Sequence, residues 1–171
     1  MKDNYSVNVI IAEDEDIIRN GLVNSIPWED LGFCVVGVAS NGKEALACYQ
    51  STKAELIITD IKMPYIDGLE LLEKLVELGS TAKVIIISGY DEFNYAQKAL
   101  KLGAYDYILK PIKLEQFIDM LSRLHKKIGE QKNTEMLINS AKKADTNKQL
   151  LGALCESDPS VHQEYISSII H

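Results

Sequence analysis

Nowhere does the chain gather the roughly 20 consecutive apolar residues of a membrane-crossing helix, so no membrane association is expected. A signal peptide is missing too, because the apolar run Val7 to Ala12 is short and acids follow it at once. Contacts to a phosphate backbone need a basic stripe, and there is none. The net charge is −7, all of it carried by residues 1–125, while residues 126–171 are neutral. That balance argues against a nucleic-acid-binding surface on the chain itself. Cysteine is scarce: Cys34, Cys48 and Cys155 are odd in number and lack metal-ligand spacing. They read as small, reduced hydrophobes, which points to the cytoplasm. Internal repeats and low-complexity tracts are absent as well.

What is present is enough for a sizeable core. Hydrophobic residues make up 46% of the 171 positions, and 25% charged residues favour solubility. The length suits one domain with an appendage. Val7 to Ala12 reads as a first strand, Val35 to Ala39 as a second and Leu56 to Asp60 as a third. Val84 to Ser88 and Tyr105 to Leu109 complete a set of five. Between them lie helical patterns: Ile17, Ile18, Leu22 and Val23; Ala45, Leu46 and Tyr49; Leu69, Leu72, Leu75 and Val76; Phe93, Ala96 and Leu100. Cap-like starts stand at Asn41 with Glu44, at Asp67 with Glu70, and at Asp91. A fifth helix carries Leu114, Phe117, Ile118, Leu121, Leu124 and Ile128 on one face. Strands alternating with helices across short loops predict an α/β fold, a doubly wound five-stranded parallel sheet.

After about residue 128 the pattern weakens. Lys132 to Lys148 suggests a helix leaving the core, and Asp158-Pro159 looks like another helix start. Beyond it, Val161, Tyr165, Ile166, Ile169 and Ile170 form an apolar face with little chain left to bury it.

A parallel sheet gathers the C-terminal ends of its strands on one edge, where such folds place ligands. Glu13, Asp14, Asp60, Ser88 and Lys110 all stand at such ends. Each has an ordinary explanation when taken alone. Asp60 can cap its strand, Glu13 and Asp14 can match a helix dipole, and Ser88 can cap a turn. Lys110 can be a surface lysine and Tyr107 a core aromatic. Together they make a site. Two like charges about 5 Å apart repel by roughly 3 kcal/mol at an effective dielectric near 20, so three acids need a cation or a raised pKa. A hard divalent ion such as Mg2+ meets that need, with Lys110 and Ser88 left to hold an oxyanion. In-line attack of a carboxylate on phosphorus would then give an aspartyl phosphate at Asp60.

These residues resemble the receiver domain of bacterial two-component response regulators. The first strand with Glu13-Asp14, the run Thr59-Asp60-Ile61-Lys62-Met63-Pro64 with Asp67-Gly68, then Ser88-Gly89 and Tyr107-Ile108-Leu109-Lys110-Pro111 match its pattern in order. The resemblance covers residues 7 to about 128. It implies a flavodoxin-like receiver fold over 1–128 and a helical linker, or the start of a truncated output region, over 129–171. It implies that Asp60 is the phosphoacceptor, fed by a sensor histidine kinase. Asp14 and Asp60 would bind Mg2+ directly, Glu13 through water, and Lys62 through its backbone carbonyl. Ser88 would bond a phosphoryl oxygen, Lys110 would pair with it, and Tyr107 would switch rotamer. A cis bond at Lys110-Pro111 is implied as well. One departure is Glu13, where many members carry Asp, and its extra methylene bears on the outer metal shell.

Ile26-Pro27-Trp28, Ser88-Gly89-Tyr90-Asp91-Glu92-Phe93 and Leu102-Gly103-Ala104-Tyr105-Asp106-Tyr107 resemble receivers joined to AraC-type DNA-binding domains. No helix-turn-helix pair is readable after residue 128, so DNA contact is expected only through a domain beyond His171. Homodimerisation is expected through the face of the fourth helix, fifth strand and fifth helix. The expected function is a phosphorylation-controlled switch and not an enzyme with an outside substrate. A Mg2+-dependent phosphohydrolase or phosphotransferase is the alternative, but Lys62 stands where its second acid would be. A nucleotide or flavin binder would need a Gly-rich loop where this chain has four acids. A receiver-like interaction module that never takes phosphate is a further alternative.

Overall fold

Runs of β-branched and apolar residues become strands here because helices cover them on both faces. In the computed structural model, which describes residues 5–89 and 93–157, the elements alternate throughout. They are β1 (Val7–Ala12), α1 (Asp16–Ser25), β2 (Phe33–Ala39), α2 (Gly42–Thr52) and β3 (Leu56–Asp60). There follow α3 (Gly68–Glu77), β4 (Lys83–Ser88), α4 (Phe93–Lys101), β5 (Asp106–Leu109) and α5 (Leu114–Ser157). The five strands form one sheet in the order β2-β1-β3-β4-β5, and every neighbouring pair is parallel. This is the doubly wound, flavodoxin-like arrangement the sequence predicts.

The strand order reverses between β1 and β3. From β1 the chain first moves outward to β2, then returns to the opposite side for β3, β4 and β5. Such a reversal opens a crevice at the C-terminal ends of β1 and β3, because their loops leave toward opposite faces. On one face, Ile10, Ile57, Val84 and Ile86 pack with Ala45, Leu71, Leu72, Leu75 and Ala99 of α2, α3 and α4. Alternate positions Val9, Ile11, Ile58, Ile85 and Ile87 point to the other face and are equally buried.

The chain forms two compact units, Met1–Lys126 and Lys127–His171. Helix α5 runs unbroken through Lys132 to Lys148, and in the second unit Met136, Leu137 and Ile138 are exposed. The expected Asp91 cap and the expected helix start at Asp158-Pro159, with Val161, Tyr165, Ile166, Ile169 and Ile170, lie outside the described residues.

Two caps are as the sequence predicts: Asn41 accepts from the Glu44 N–H at 2.9 Å, and Asp67 accepts from the Glu70 N–H at 2.8 Å. The helix faces differ from the expected stripes. Ile17 is 88% exposed, and Val76, Leu100 and Leu114 also face water, whereas Leu71 and Ala99 are buried. Apolarity alone could not separate Leu100 from Ala99, because α4 meets the core with a small residue. Replacing Leu75 with Ala should therefore lower unfolding free energy by about 2–5 kcal/mol, while Val76→Ala should stay within about 0.5 kcal/mol. Urea denaturation of the two variants checks this contrast.

Candidate functional site

Three backbone hydrogen bonds carry the ladder just beyond the strand ends. The Glu13 N–H donates to the Ala39 carbonyl at 3.1 Å and the Ile61 N–H to the Ile87 carbonyl at 3.0 Å. The Lys110 N–H donates to the Ser88 carbonyl at 2.6 Å. These bonds extend the ladder past β1, β3 and β5, so the pleat still sets side-chain direction where the loops begin. Helix α3 closes on the same place. The Gly68 N–H donates to the Ile61 carbonyl at 2.8 Å, and a Cβ at Gly68 would collide with the Asp60 carbonyl oxygen. Only glycine permits that approach.

One carboxylate oxygen from each of Glu13, Asp14 and Asp60 lies within 4.8 Å of the other two. The Nζ of Lys110 is 2.9 Å from Oδ1 of Asp60 and 3.0 Å from Oε2 of Glu13, with Glu15 at 3.8 Å. The other Asp60 oxygen accepts from the Lys62 N–H at 3.2 Å. Glu13 and Asp60 are buried, whereas Asp14 and Lys62 are exposed, so the cluster opens to water on one side. Ser88 is fully buried, one residue beyond Ile87, the register partner of Asp60. Its hydroxyl donates to the Gly89 carbonyl at 3.1 Å. Tyr107 is half-buried against the core, and the Lys110-Pro111 bond is cis. Glu13, Asp14, Asp60 and Lys110 thus meet at one point.

Residues 9–122 match the response regulator receiver domain family. The chain belongs to that family. Among similar proteins, the uncharacterized transcriptional regulatory protein YesN of Bacillus subtilis is 40% identical over 116 residues, covering 68% of this chain and 32% of its own length. The receiver domain of AraT, a response regulator from Geobacillus stearothermophilus, superposes with a TM-score of 0.70 at 36% identity, covering 74% of this chain and 98% of that one. A chain of the CheX-CheY-BeF3-Mg2+ complex from Borrelia burgdorferi matches with a TM-score of 0.64 at 25% identity, over 71% of this chain and 90% of that one. This chain spans between a third and a half of the length of the curated relatives it matches. No helix of the described residues is long and apolar enough to cross a membrane.

The receiver pocket carries more negative charge than its lysine can balance. Burial raises the pKa of Glu13, and the Asp60 carboxylate raises it further. Lys110 and the Glu15 N–H offset part of that rise. Burial also raises Asp60, against the pull of Lys110 and the Lys62 N–H. For Lys110, burial works against the ammonium, but Asp60 and Glu13 outweigh it and leave its pKa raised. Although Oε2 of Glu13 has the 3.0 Å charge contact with Lys110, it has no aligned hydrogen bond. A buried carboxylate oxygen in that condition is a fit for a cation.

Two further residues contribute to the site. Glu15 reaches Lys110, and Arg19 donates from α1 to the backbone carbonyls of Glu13 and Asp14. An arginine placed just after a run of four acids was the available signal for the second.

The raised pKa of Asp60 means that its ionised form costs the metal-free fold stability. At low pH, Asp60 is protonated in both folded and unfolded chains. As pH rises past the ordinary carboxylate value, the unfolded chain loses its proton first, so wild-type stability falls relative to an uncharged isostere. The Asp60→Asn variant should therefore melt higher than wild type at pH 7 without metal. The gap should widen from about pH 4 upward and level off once Asp60 ionises in the fold. Thermal melts of both proteins across pH measure it.

Proposed function

We propose that this receiver domain is a phosphorylation-controlled signalling switch with Asp60 as phosphoacceptor. The observation that carries the reading is Lys110 lying within 3.0 Å of both Asp60 and Glu13 at the mouth of a three-carboxylate cluster. An Asp60 oxygen attacks the phosphorus of a phosphohistidine on a sensor histidine kinase. The O–P bond forms as the N–P bond breaks, and the imidazole nitrogen keeps the electron pair and takes a proton.

Asp14, Asp60 and the Lys62 carbonyl would hold Mg2+ directly, with Glu13 acting through water. The all-oxygen donor set supports that choice, as does the buried Glu13 oxygen that has the Lys110 charge contact but no aligned hydrogen bond. The similar Borrelia complex contains Mg2+ and BeF3. Held by these residues, the ion would supply the positive charge that lets acids and a phosphoryl group share one pocket. The phosphoryl group adds a charge of about −1.5 to −2, which Lys110 pairs with from its present position. The Ser88 hydroxyl turns from the Gly89 carbonyl to a phosphoryl oxygen, and Tyr107 moves into the space it leaves.

An apolar groove of about 660 Å3, lined by Ile18, Leu22, Ile26, Pro111, Leu114 and Phe117, lies beside Lys110. Exposed Tyr95, Leu100 and Leu109 on α4 and β5 support a homodimer through the α4, β5 and α5 face. The likeness to YesN supports transcriptional control as the output. An AraC-type DNA-binding domain, reached through residues 129–171 as a helical linker, rests on the residue resemblance. The protein works in the cytoplasm as a switch and not as an enzyme on an outside substrate.

Incubation with acetyl phosphate and Mg2+, followed by intact mass, should add about 80 Da to wild type and nothing to Asp60→Asn. An adduct persisting in the variant would move the acceptor elsewhere. Fluoroberyllate with Mg2+ should change both the association state in sedimentation and the Tyr107 ring resonances. Their joint constancy would refute the switch.

A further inference from the structure

Four successive acids, Glu13 to Asp16, end β1 and open α1, yet the helix has no side-chain cap, because Glu15 at the N-cap makes no capping hydrogen bond. The turn is closed from inside the helix by Arg19. Its Nη1 donates to the Glu13 carbonyl at 2.7 Å and lies 3.3 Å from the Asp14 carbonyl, while Nη2 pairs with the Asp16 carboxylate. The side chain is only 17% exposed, so the fork is packed in place and not waving in solvent. Glu13 itself is fully buried, and its carbonyl finds in Arg19 a charged donor.

We propose that Arg19 is a positioning residue for the cation site. It fixes the peptide planes of Glu13 and Asp14, and so the spacing of their carboxylates from Asp60. This rests on the Mg2+ reading given above. Arg19 acts on a divalent ion in two opposite ways. Its charge repels the ion, so by charge alone its removal would tighten binding. Its hydrogen bonds pre-order the ligands, so by positioning its removal weakens binding. The geometry favours the second, because Asp16 already pairs with the guanidinium, whereas two ligand-bearing carbonyls share Nη1. A planar fork can serve two carbonyls and a carboxylate together, which a lysine ammonium on its flexible stem cannot do in the same geometry.

Calorimetric titration of Mg2+ into wild type, Arg19→Met, Arg19→Lys and Asp16→Asn tests this, with thermal midpoints taken in the absence of the ion. Arg19→Met should bind Mg2+ about tenfold more weakly or worse. Arg19→Lys should fall between it and wild type despite keeping the charge. Asp16→Asn, which leaves the carbonyl contacts in place, should stay close to wild type. If Arg19→Met does not fold, the loss in Arg19→Lys carries the result. Unchanged or tighter binding in the folded Arg19 variants would overturn the role of Arg19 alone, and failure of both to fold would assign it to stability instead. A wild-type chain that takes up no Mg2+ would overturn the metal reading itself, and this inference with it.

Discussion

One ammonium faces two buried carboxylates and a third close by, and that imbalance governs the pocket. Lys110 touches Asp60 and Glu13 at about equal distance, so it cannot neutralise either fully. Like charges at about 5 Å still repel by roughly 3 kcal/mol at an effective dielectric near 20. Burial first, and for Glu13 the Asp60 carboxylate next, raises the pKa values of Glu13 and Asp60 and gives both a tendency to hold protons. A pocket in that condition gains from any added cation. It also keeps a carboxylate poised at a point where an anion can be accepted beside a lysine.

Such a pocket needs a frame that will not relax by moving its charges apart. The parallel sheet supplies it, since bonds from Glu13, Ile61 and Lys110 carry the ladder beyond the strands. Gly68 lets α3 press against the backbone of Asp60, and Arg19 draws the acidic loop back over the start of α1. The loop after Asp60 is tight as well. Tyr65 sits at φ 70° inside a turn closed by the Ile66 N–H and the Pro64 carbonyl at 2.9 Å. Non-glycine residues in that region cost roughly 1–3 kcal/mol, which the surrounding contacts must offset.

The strands were legible because both faces of a parallel sheet are buried, which turns each strand into an apolar run ending in a polar residue. Helix faces were harder to read. Ile17, Val76, Leu100 and Leu114 are apolar and lie near the expected stripe, yet each faces water. In α4 the sheet is met by Ala99, whose size gives little signal in a hydrophobic pattern. The acids and the lysine of the pocket could be named because their types are unusual at strand ends. Arg19 and Glu15 stood out less, since charged residues at a helix start have many ordinary uses.

The order of elements, the parallel sheet and the identity of the chemical groups at its edge follow from residue types and their spacing, because burial imposes a period on every strand. Which charges touch was decided by the fold alone. Lys110 is fifty residues from Asp60 along the chain, and only the crossing from β4 to β5 brings its ammonium to 2.9 Å from that carboxylate. Contact energies fall within a few ångströms, a scale that sequence spacing does not encode.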